Sequence, residues 1–287
     1  MALFFYCQEN LYAYFEDYLN SLRIHIPQKT GVRLYTKPIS PDVFSSRTNG
    51  ISDRHIFLQK VPREAYQNLN KNSIYLLSTE QLSRRGCFDY VCKRNDDTVI
   101  DYSEENINYY ADRKKVYHIP YQINRHEIYD YAKENEVAMI GNNAPRRWQI
   151  YNELSDKNIK VDNIRGWRRD RDERLFTYKI LVNVHFRGTD CKITEQMRIN
   201  RCVFNRMIVV TEESLYQDDL ALKPYMLFSP FDQISGLVED VIHNYAAYYT
   251  RLFDGFDLEK IHRNLVAKLH DFLATESITA ASHTPRQ

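Results

Sequence analysis

Short apolar runs alternate with amphipathic stretches of helical length along nearly the whole chain. Residues 2–7 (ALFFYC) predict a strand, and residues 10–22 predict a helix after it. Further strands are expected at 32–35, 55–59, 74–77, 99–101 and 116–119, with a helix at 126–134. From residue 137 the rhythm becomes regular. Strands are expected at 137–141, 161–164, 179–186, 207–212 and 225–230, and helices at 146–154, 195–205 and through most of 231–275. Strands alternating with helices of this length imply parallel βαβ units with right-handed crossovers. Continuously apolar runs such as ILV and IVV suit strands buried on both faces. The expected class is therefore α/β, with two Rossmann-like, doubly wound parallel-sheet domains at 1–130 and 131–260. Residues 261–287 are expected to form a closing helix and a frayed polar tail.

Ligands of open parallel sheets lie beyond the carboxyl ends of the strands. The residues that follow each apolar run are thus the candidates for chemistry: Gln8-Glu9-Asn10, Ser78-Thr79-Glu80-Gln81, Asp101-Tyr102-Ser103, Gly141-Asn142-Asn143, His185 and Thr211-Glu212-Glu213.

Composition removes several classes. Thirty-nine Lys and Arg balance 38 Asp and Glu, leaving +1, which is not the electrostatic footprint of a nucleic-acid binder. The 43% hydrophobic and 27% charged fractions describe a globular chain rather than a disordered one. No apolar run reaches the length of a membrane span, and the amino terminus lacks the basic start of a signal peptide. The five cysteines show no C-x-x-C spacing and are expected to be reduced thiols of a cytoplasmic protein. Tyrosine is abundant (22) and glycine scarce (8), so many amphipathic rings are expected either in the core or stacked on a sugar or base.

Three motifs carry candidate chemistry. Gly141-Asn142-Asn143-Ala144-Pro145-Arg146-Arg147 joins a strand to a helix, where a glycine permits a sharp turn and free amides favour an anion. It suits a diphosphate held by Arg146 and Arg147, or an ordinary βα turn with two solvated arginines. Glu195 opens a helix between two buried strands and shares a face with Arg198, three residues on. It suits a carboxylate for ribose hydroxyls, or a first-turn charge paired with Arg198. Asp170-Arg171-Asp172 has the D-x-D form of a divalent-cation site, but it precedes its strand, so a solvated charge cluster is expected. The nine histidines show no metal-ligand spacing, and no P-loop, G-x-G-x-x-G, G-x-S-x-G or kinase motif is present.

The series Ile140-Gly141…Arg146-Arg147, Gly166-Trp167…Arg169-Asp170, Leu181-Val182-Asn183-Val184-His185, Glu195-x-x-Arg198-Ile199-Asn200 and Val209-Val210-Thr211-Glu212 resembles the nucleotide-sugar half of GT-B glycosyltransferases. The compact forms of bacteria and of large DNA viruses, including those infecting algae, are the nearest in kind. Leu76-Leu77-Ser78-Thr79-Glu80-Gln81-Leu82 fits the same group. The resemblance implies two Rossmann-like domains facing a cleft, no metal and no cofactor. It implies a nucleotide-sugar donor, UDP-linked and with xylose as one possible sugar, and a glycan acceptor such as a viral capsid glycan made in the host cytoplasm. By the same analogy Glu195 holds the donor ribose, and Gly141, Asn142, Arg146 and Arg147 hold the diphosphate. Asn183, His185, Arg198, Thr211 and Glu212 complete the donor site. Retaining members often show Glu-x7-Glu, and here Arg187 stands eight residues before Glu195, so an inverting transfer is expected. Such a reaction needs a general base. Glu9, directly after the first strand, is the first candidate, with Glu80 and Asp101 in reserve. The competing expectations are a non-catalytic nucleotide- or carbohydrate-binding module and a metal-dependent GT-A enzyme using Asp170 and Asp172.

Overall fold

A computed structural model describes residues 1–37, 39–44, 53–84, 98–110, 115–142, 144–188, 193–217 and 220–282, with side chains to Glu276. The chain divides into two compact units. The first comprises Met1–Leu82, Gly86–Gln122 and Ile261–Gln287, and the second Ser83–Arg85 and Ile123–Lys260.

The first unit holds six strands: β1 (Leu3–Gln8), β2 (Thr30–Tyr35), β3 (Arg54–Leu58), β4 (Ile74–Ser78), β5 (Thr98–Asp101) and β6 (Val116–His118). They pair in parallel in the order β2-β1-β3-β4-β5-β6. The second unit holds β7 (Asn135–Ile140), β8 (Val161–Ile164), β9 (Tyr178–Asn183), β10 (Ile208–Glu212) and β11 (Met226–Ser229), in parallel in the order β11-β10-β9-β7-β8. The α/β class with two doubly wound parallel sheets is thus the one expected. In both sheets the second strand lies on one flank of the first and the third on the other. The switch points are therefore between β1 and β3 and between β7 and β9.

The crossover helices are α1 (Glu9–Arg23), α2 (Arg63–Asn68), α3 (Glu104–Tyr110), α4 (Pro145–Asp156), α5 (Arg168–Leu175) and α6 (Gln196–Phe204), followed by α7 (Ile234–His243), α8 (Tyr245–Phe253) and α9 (Leu258–Ser282). Helix α1 starts with Glu9 and ends with Arg23, each suited to the helix dipole at its end, and it buries Tyr18, Leu19 and Leu22. Strands β3, β4 and β10 are buried at every position, including the polar residues Arg54, His55, Ser78, Thr211 and Glu212 at their ends.

Eight of the 22 tyrosines are buried among the described residues. Tyr6, Tyr18, Tyr75, Tyr110 and Tyr121 are among the largest fully buried side chains. Their hydroxyls find partners: Tyr6 with His55 Nδ1 at 3.0 Å, Tyr18 with the Ile119 carbonyl at 3.0 Å, Tyr110 with Asp101 Oδ2 at 2.9 Å. A buried phenol left unpaired would cost about 1–3 kcal/mol.

From Ile261 onward α9 belongs to the first unit. Its Glu276 is 2% exposed and accepts hydrogen bonds from Arg54 Nε (3.2 Å), Lys115 Nζ (3.2 Å), the Tyr117 hydroxyl (2.6 Å) and the Tyr75 hydroxyl. One carboxylate thereby ties the helix to β3, β4 and β6.

Three expectations need correction. The stretch 126–134 is not a helix. It forms one 3-10 turn, Arg125–Glu127, and then runs irregularly, because Tyr129 stacks between Tyr131 and Phe176 at 5.2 and 5.4 Å while Asn205 Oδ1 accepts its amide at 2.7 Å. Strand β9 ends at Asn183, so Val184, His185 and Phe186 leave the sheet. The D-x-D segment is a solvated cluster only in part, since Arg169, Asp170 and Glu173 are exposed while Arg171 and Asp172 are buried. It lies in α5 with Asp172 only 2% exposed, accepting from Arg171 Nη2 at 2.7 Å and from Arg201 Nη2 at 2.5 Å, while Arg201 Nε also reaches Glu127 at 2.9 Å.

Candidate functional site

The residues expected to bind a donor come together at the carboxyl edge of the second sheet. β7 ends at Ile140, and Gly141 follows with φ +112, a left-handed conformation that an L side chain adopts only with strain. A Cβ at Gly141 would lie 2.7 Å from Arg147 Nη1 and 3.3 Å from Arg198 Nη2. Glycine therefore lets two guanidinium groups close over the strand end. Pro145 at the first turn of α4 sets the helix start and delivers Arg146 and Arg147 to this edge.

Arg147 is 7% exposed. Its Nε donates to the Val184 carbonyl at 3.1 Å and its Nη1 to the Asn142 carbonyl at 2.7 Å. Asn142 thus acts here through its backbone, to hold the arginine. Burial and then the neighbouring Arg198 charge push the Arg147 guanidinium down to about 10, against a smaller opposing pull from Glu195. Arg198 Nη1 donates to Asn183 Oδ1 at 3.2 Å and pairs with Glu195, whose carboxylate lies 3.8 Å from Arg147 Nη2. Arg146 pairs with Glu212 and stacks its guanidinium 3.7 Å over the Phe231 ring.

Below this layer sit four buried residues. Asn183 donates to the Thr211 hydroxyl at 3.0 Å. The Glu212 carboxylate accepts the His185 amide at 3.1 Å, and His185 Nε2 lies 3.1 Å from the Glu213 carbonyl. Asn183, His185, Thr211 and Glu212 are between 0 and 6% exposed, so they fix the arginines and the strand ends rather than present a surface. Gly141, Glu195 and Arg198 thus join His185 and Glu212 through the adjacent Arg146 and Arg147.

The cluster holds more positive than negative charge, and its polar atoms are incompletely satisfied. Arg146 Nε, Arg147 Nη2 and His185 Nδ1 are buried and make no hydrogen bond among the described residues. Buried polar atoms are nearly always paired, so the two unpaired arginine donors at one place point to an anionic ligand. Beside Gly141 and Arg147 opens a pocket of about 270 Å³, lined also by Trp148, Tyr151, Asn163 and Arg165. Trp148 and Tyr151 meet edge to face at 5.3 Å.

Sequence reasoning missed two contributors. A Cβ on Gly188 would lie 2.6 Å from Arg146 Nη1, so a glycine there lets the guanidinium lie close against the loop after β9. The signal was a glycine in a loop of a chain that has only 8. Phe231, over which Arg146 stacks, gave no pattern. Asn143 lies outside the described residues.

The first sheet presents carboxylates at its corresponding edge. Glu9 is exposed at the first residue of α1. Glu80 is half-buried and accepts Gln59 Nε2 at 2.9 Å, while Asn106 Nδ2 donates to its backbone carbonyl at 2.7 Å. Asp101 is fully buried. Burial raises its carboxyl to about 7, against hydrogen bonds from Ser103 N (2.9 Å), Asn106 Nδ2 (3.1 Å) and the Tyr110 hydroxyl (2.9 Å). Asp101 organises the turn between β5 and α3 and has no access to an acceptor. Gln59 itself has φ 61, and Lys60 N donates back to the Leu58 carbonyl at 2.7 Å, a tight turn of the kind that costs about 1–3 kcal/mol and needs outside support.

Asp170 and Asp172 do not make a pair of cation ligands. Asp170 is exposed, while Asp172 is consumed by Arg171 and Arg201. No group of three His, Cys, Asp or Glu suited to a metal is found among the described residues. Cys7 and Cys202 are buried and free, whereas Cys87, Cys92 and Cys191 lie outside the described residues. No helix among the described residues is long and apolar enough to cross a membrane.

No family model matches the chain. R358 of Acanthamoeba polyphaga mimivirus, an uncharacterized protein, is 31% identical over 201 residues, which are 66% of this chain and 69% of R358. The chain belongs to the R358 family. Two other uncharacterized proteins of the same virus also match: L138 at 30% identity over 248 residues and L140 at 35% over 192. This R358-family chain spans 28% of L138 and 62% of L140, while the matches cover 79% and 63% of the chain. Among solved structures, an α1,3-fucosyltransferase superposes with a TM-score of 0.55 over 96% of the chain and 89% of its own, at 14% identity. A sucrose-phosphate synthase from Thermosynechococcus elongatus superposes with 0.50 over 96% and 100%, at 12% identity. The R358-family chain has the GT-B fold of glycosyltransferases, as the motif series led one to expect.

Proposed function

We propose that the protein is a glycosyltransferase that moves a sugar from a nucleoside-diphosphate donor, UDP-linked by default, to a glycan hydroxyl with inversion and without a metal ion. The observation that carries this is the half-satisfied arginine cluster at the switch point of the second sheet. Arg147 is buried, pressed against Arg198, and leaves an N–H without a partner. A diphosphate supplies the missing acceptors and relieves the repulsion between the two cations. The pocket beside Gly141, with its Trp148 and Tyr151 rings, supports placing the nucleoside there. Glu195, already bonded to Arg198, is assigned the ribose hydroxyls.

In the reaction Glu9 takes the proton of the acceptor hydroxyl as its oxygen bonds to the anomeric carbon. The bond from that carbon to the donor phosphate oxygen breaks, and its electron pair leaves on the diphosphate. Arg146, Arg147 and Arg198 stabilise the charge that develops there without needing to reorganise, since buried carboxylates and carbonyls already hold them. Glu9 is preferred to Glu80 as base because Gln59 engages the Glu80 carboxylate. Kinship with mimivirus proteins supports a viral setting in the host cytoplasm, and the reading takes a viral glycan as acceptor and a pentose such as xylose as one donor sugar to try.

The test is a thermal-shift panel of UDP, GDP, UDP-glucose and UDP-xylose, run with and without EDTA and followed by transfer assays. A donor at 100 times its Kd adds about 2.7 kcal/mol of apparent stability. The expected result is a shift with a nucleoside diphosphate that EDTA does not abolish and that Arg147→Ala removes. Absence of a shift with every nucleotide would overturn the proposal, and binding without transfer would favour a non-catalytic module.

A further inference from the structure

The first unit carries a pocket that the donor cluster does not use. It occupies about 300 Å³ beyond the carboxyl ends of β1, β2 and β3 and is lined by Gln8, Tyr35, Lys37, Lys60, Arg63 and Glu64, among others. Gln8 precedes the proposed base Glu9 directly, so the pocket begins at the β1–α1 junction. Three of these side chains are cationic and one is a carboxylate. Lys37 and Arg63 make no ion pair or hydrogen bond among the described residues. Lys37 and Arg63 are exposed at the pocket and Lys60 is half-buried, and like charges around one concavity attract an anion.

A second observation comes from the backbone. Lys60 reaches this pocket because Gln59 turns the chain sharply at the end of β3, with φ 61 and a Lys60 N to Leu58 carbonyl bond of 2.7 Å. The turn is braced on both sides: Gln59 N donates to the Leu77 carbonyl at 2.9 Å, and its side chain donates to Glu80 at 2.9 Å. A non-glycine residue keeps such a conformation only where its surroundings impose it, and such residues cluster at ligand sites. The bracing delivers a lysine to the same place where Lys37 and Arg63 arrive from other segments.

We infer that this pocket is an anion-selective acceptor subsite, and that the acceptor is a saccharide carrying a phosphate or carboxylate near the hydroxyl to be glycosylated. The inference rests on the glycosyltransferase proposal for the word acceptor, though not for the binding itself. One cation on each side of the anion would anchor the sugar while Gln8 and Tyr35 bound its hydroxyls, with Glu9 next along the chain.

Calorimetric titration of the full chain with glucose 6-phosphate, glucuronate, glucose and inorganic phosphate tests it. One of the two anionic sugars should bind about tenfold or more tightly than both glucose and inorganic phosphate. Preference for the first assigns a phosphorylated acceptor, and for the second a uronic acid. That advantage should vanish in Lys37→Ala/Arg63→Ala and survive in Lys37→Arg/Arg63→Lys, whose folding a melting curve checks. Equal binding of glucose, equal binding of inorganic phosphate, an advantage that persists in the alanine variant, or no binding of either anionic sugar at millimolar concentration would each overturn the inference. UDP, titrated on the wild-type chain in the same series, reads the arginine cluster. Its binding with no sugar selectivity defeats this inference alone, while its failure defeats the donor proposal and leaves the anion pocket standing.

Discussion

The two sheets follow one winding plan and differ in what stands at their tips. In both, the switch point falls between the paired first and third strands. At the second sheet that point is crowded with guanidinium groups, fastened from beneath by Asn183, Glu195 and Glu212. The carboxyl edge of the first sheet is mixed: exposed Glu9 follows β1, pinned Glu80 and buried Asp101 stand at β4 and β5, and the cations Lys37, Lys60 and Arg63 line the pocket beyond β1, β2 and β3. Topology thus fixes where chemistry is placed, and the few residues after each strand decide its sign. An edge rich in fixed cations suits a departing diphosphate, and an edge with an exposed carboxylate suits removal of a proton.

Single substitutions test that division. The largest effect is expected from Glu9→Gln, which should lower transfer by about 10²- to 10⁴-fold while nucleotide binding stays as it was. Unchanged turnover would remove Glu9 from the chemistry, and the same loss in Glu80→Gln alone would move the base to Glu80. Next comes Arg147→Ala, expected to weaken UDP binding by roughly 10- to 100-fold, the worth of hydrogen bonds to a charged group. Lysine should not rescue it, since one ammonium cannot span the Val184 and Asn142 carbonyls and an anion at once. Gly141→Ala should cost about 1–3 kcal/mol of stability from its left-handed backbone, and weaken UDP severalfold by displacing Arg147. A calorimetric scan and a UDP titration would show both.

A further effect concerns pH. Asp101 has its carboxyl raised from 3.8 to about 7 by burial, so between those values the folded state binds the extra proton. Its contribution to stability is complete below pH 3.8 and falls as pH rises toward 7, by at most about 1.4 kcal/mol for each pH unit. Asp101→Asn lacks this slope. The stability difference between variant and wild type, followed by urea unfolding from pH 5 to 8, should therefore grow in favour of the variant up to about pH 7 and then level. A flat difference would show that the carboxyl is not raised.

Much of the architecture was legible because strand burial leaves a one-dimensional trace. MIVVTE and IYLL could hardly lie anywhere except inside a sheet, and the strand at Val161–Ile164 is found at its expected bounds. Glu195 and Arg198 were legible as a pair because three residues on a helix define a contact. What failed depended on partners far along the chain. Asp172 looked solvated among alternating charges, since nothing local shows that Arg201, 29 residues on, closes over it. The helix expected at 126–134 lost to stacking of Tyr129 on Phe176 and to capping by Asn205. The pocket formed by Lys37, Lys60 and Arg63 left no trace, because it is made by the ends of separate strands and by one strained residue, Gln59.

The return of α9 has a consequence for biogenesis. Residues 123–260 emerge from the ribosome as one uninterrupted stretch, so the later unit can finish folding as soon as it is out. The earlier unit must wait, with Arg54 lacking its counter-charge, until Glu276 is translated. A nascent chain stalled so that residue 260 has emerged but Glu276 has not should therefore yield to protease in its first hundred residues while its middle resists, an inversion of the usual amino-to-carboxyl order of maturation.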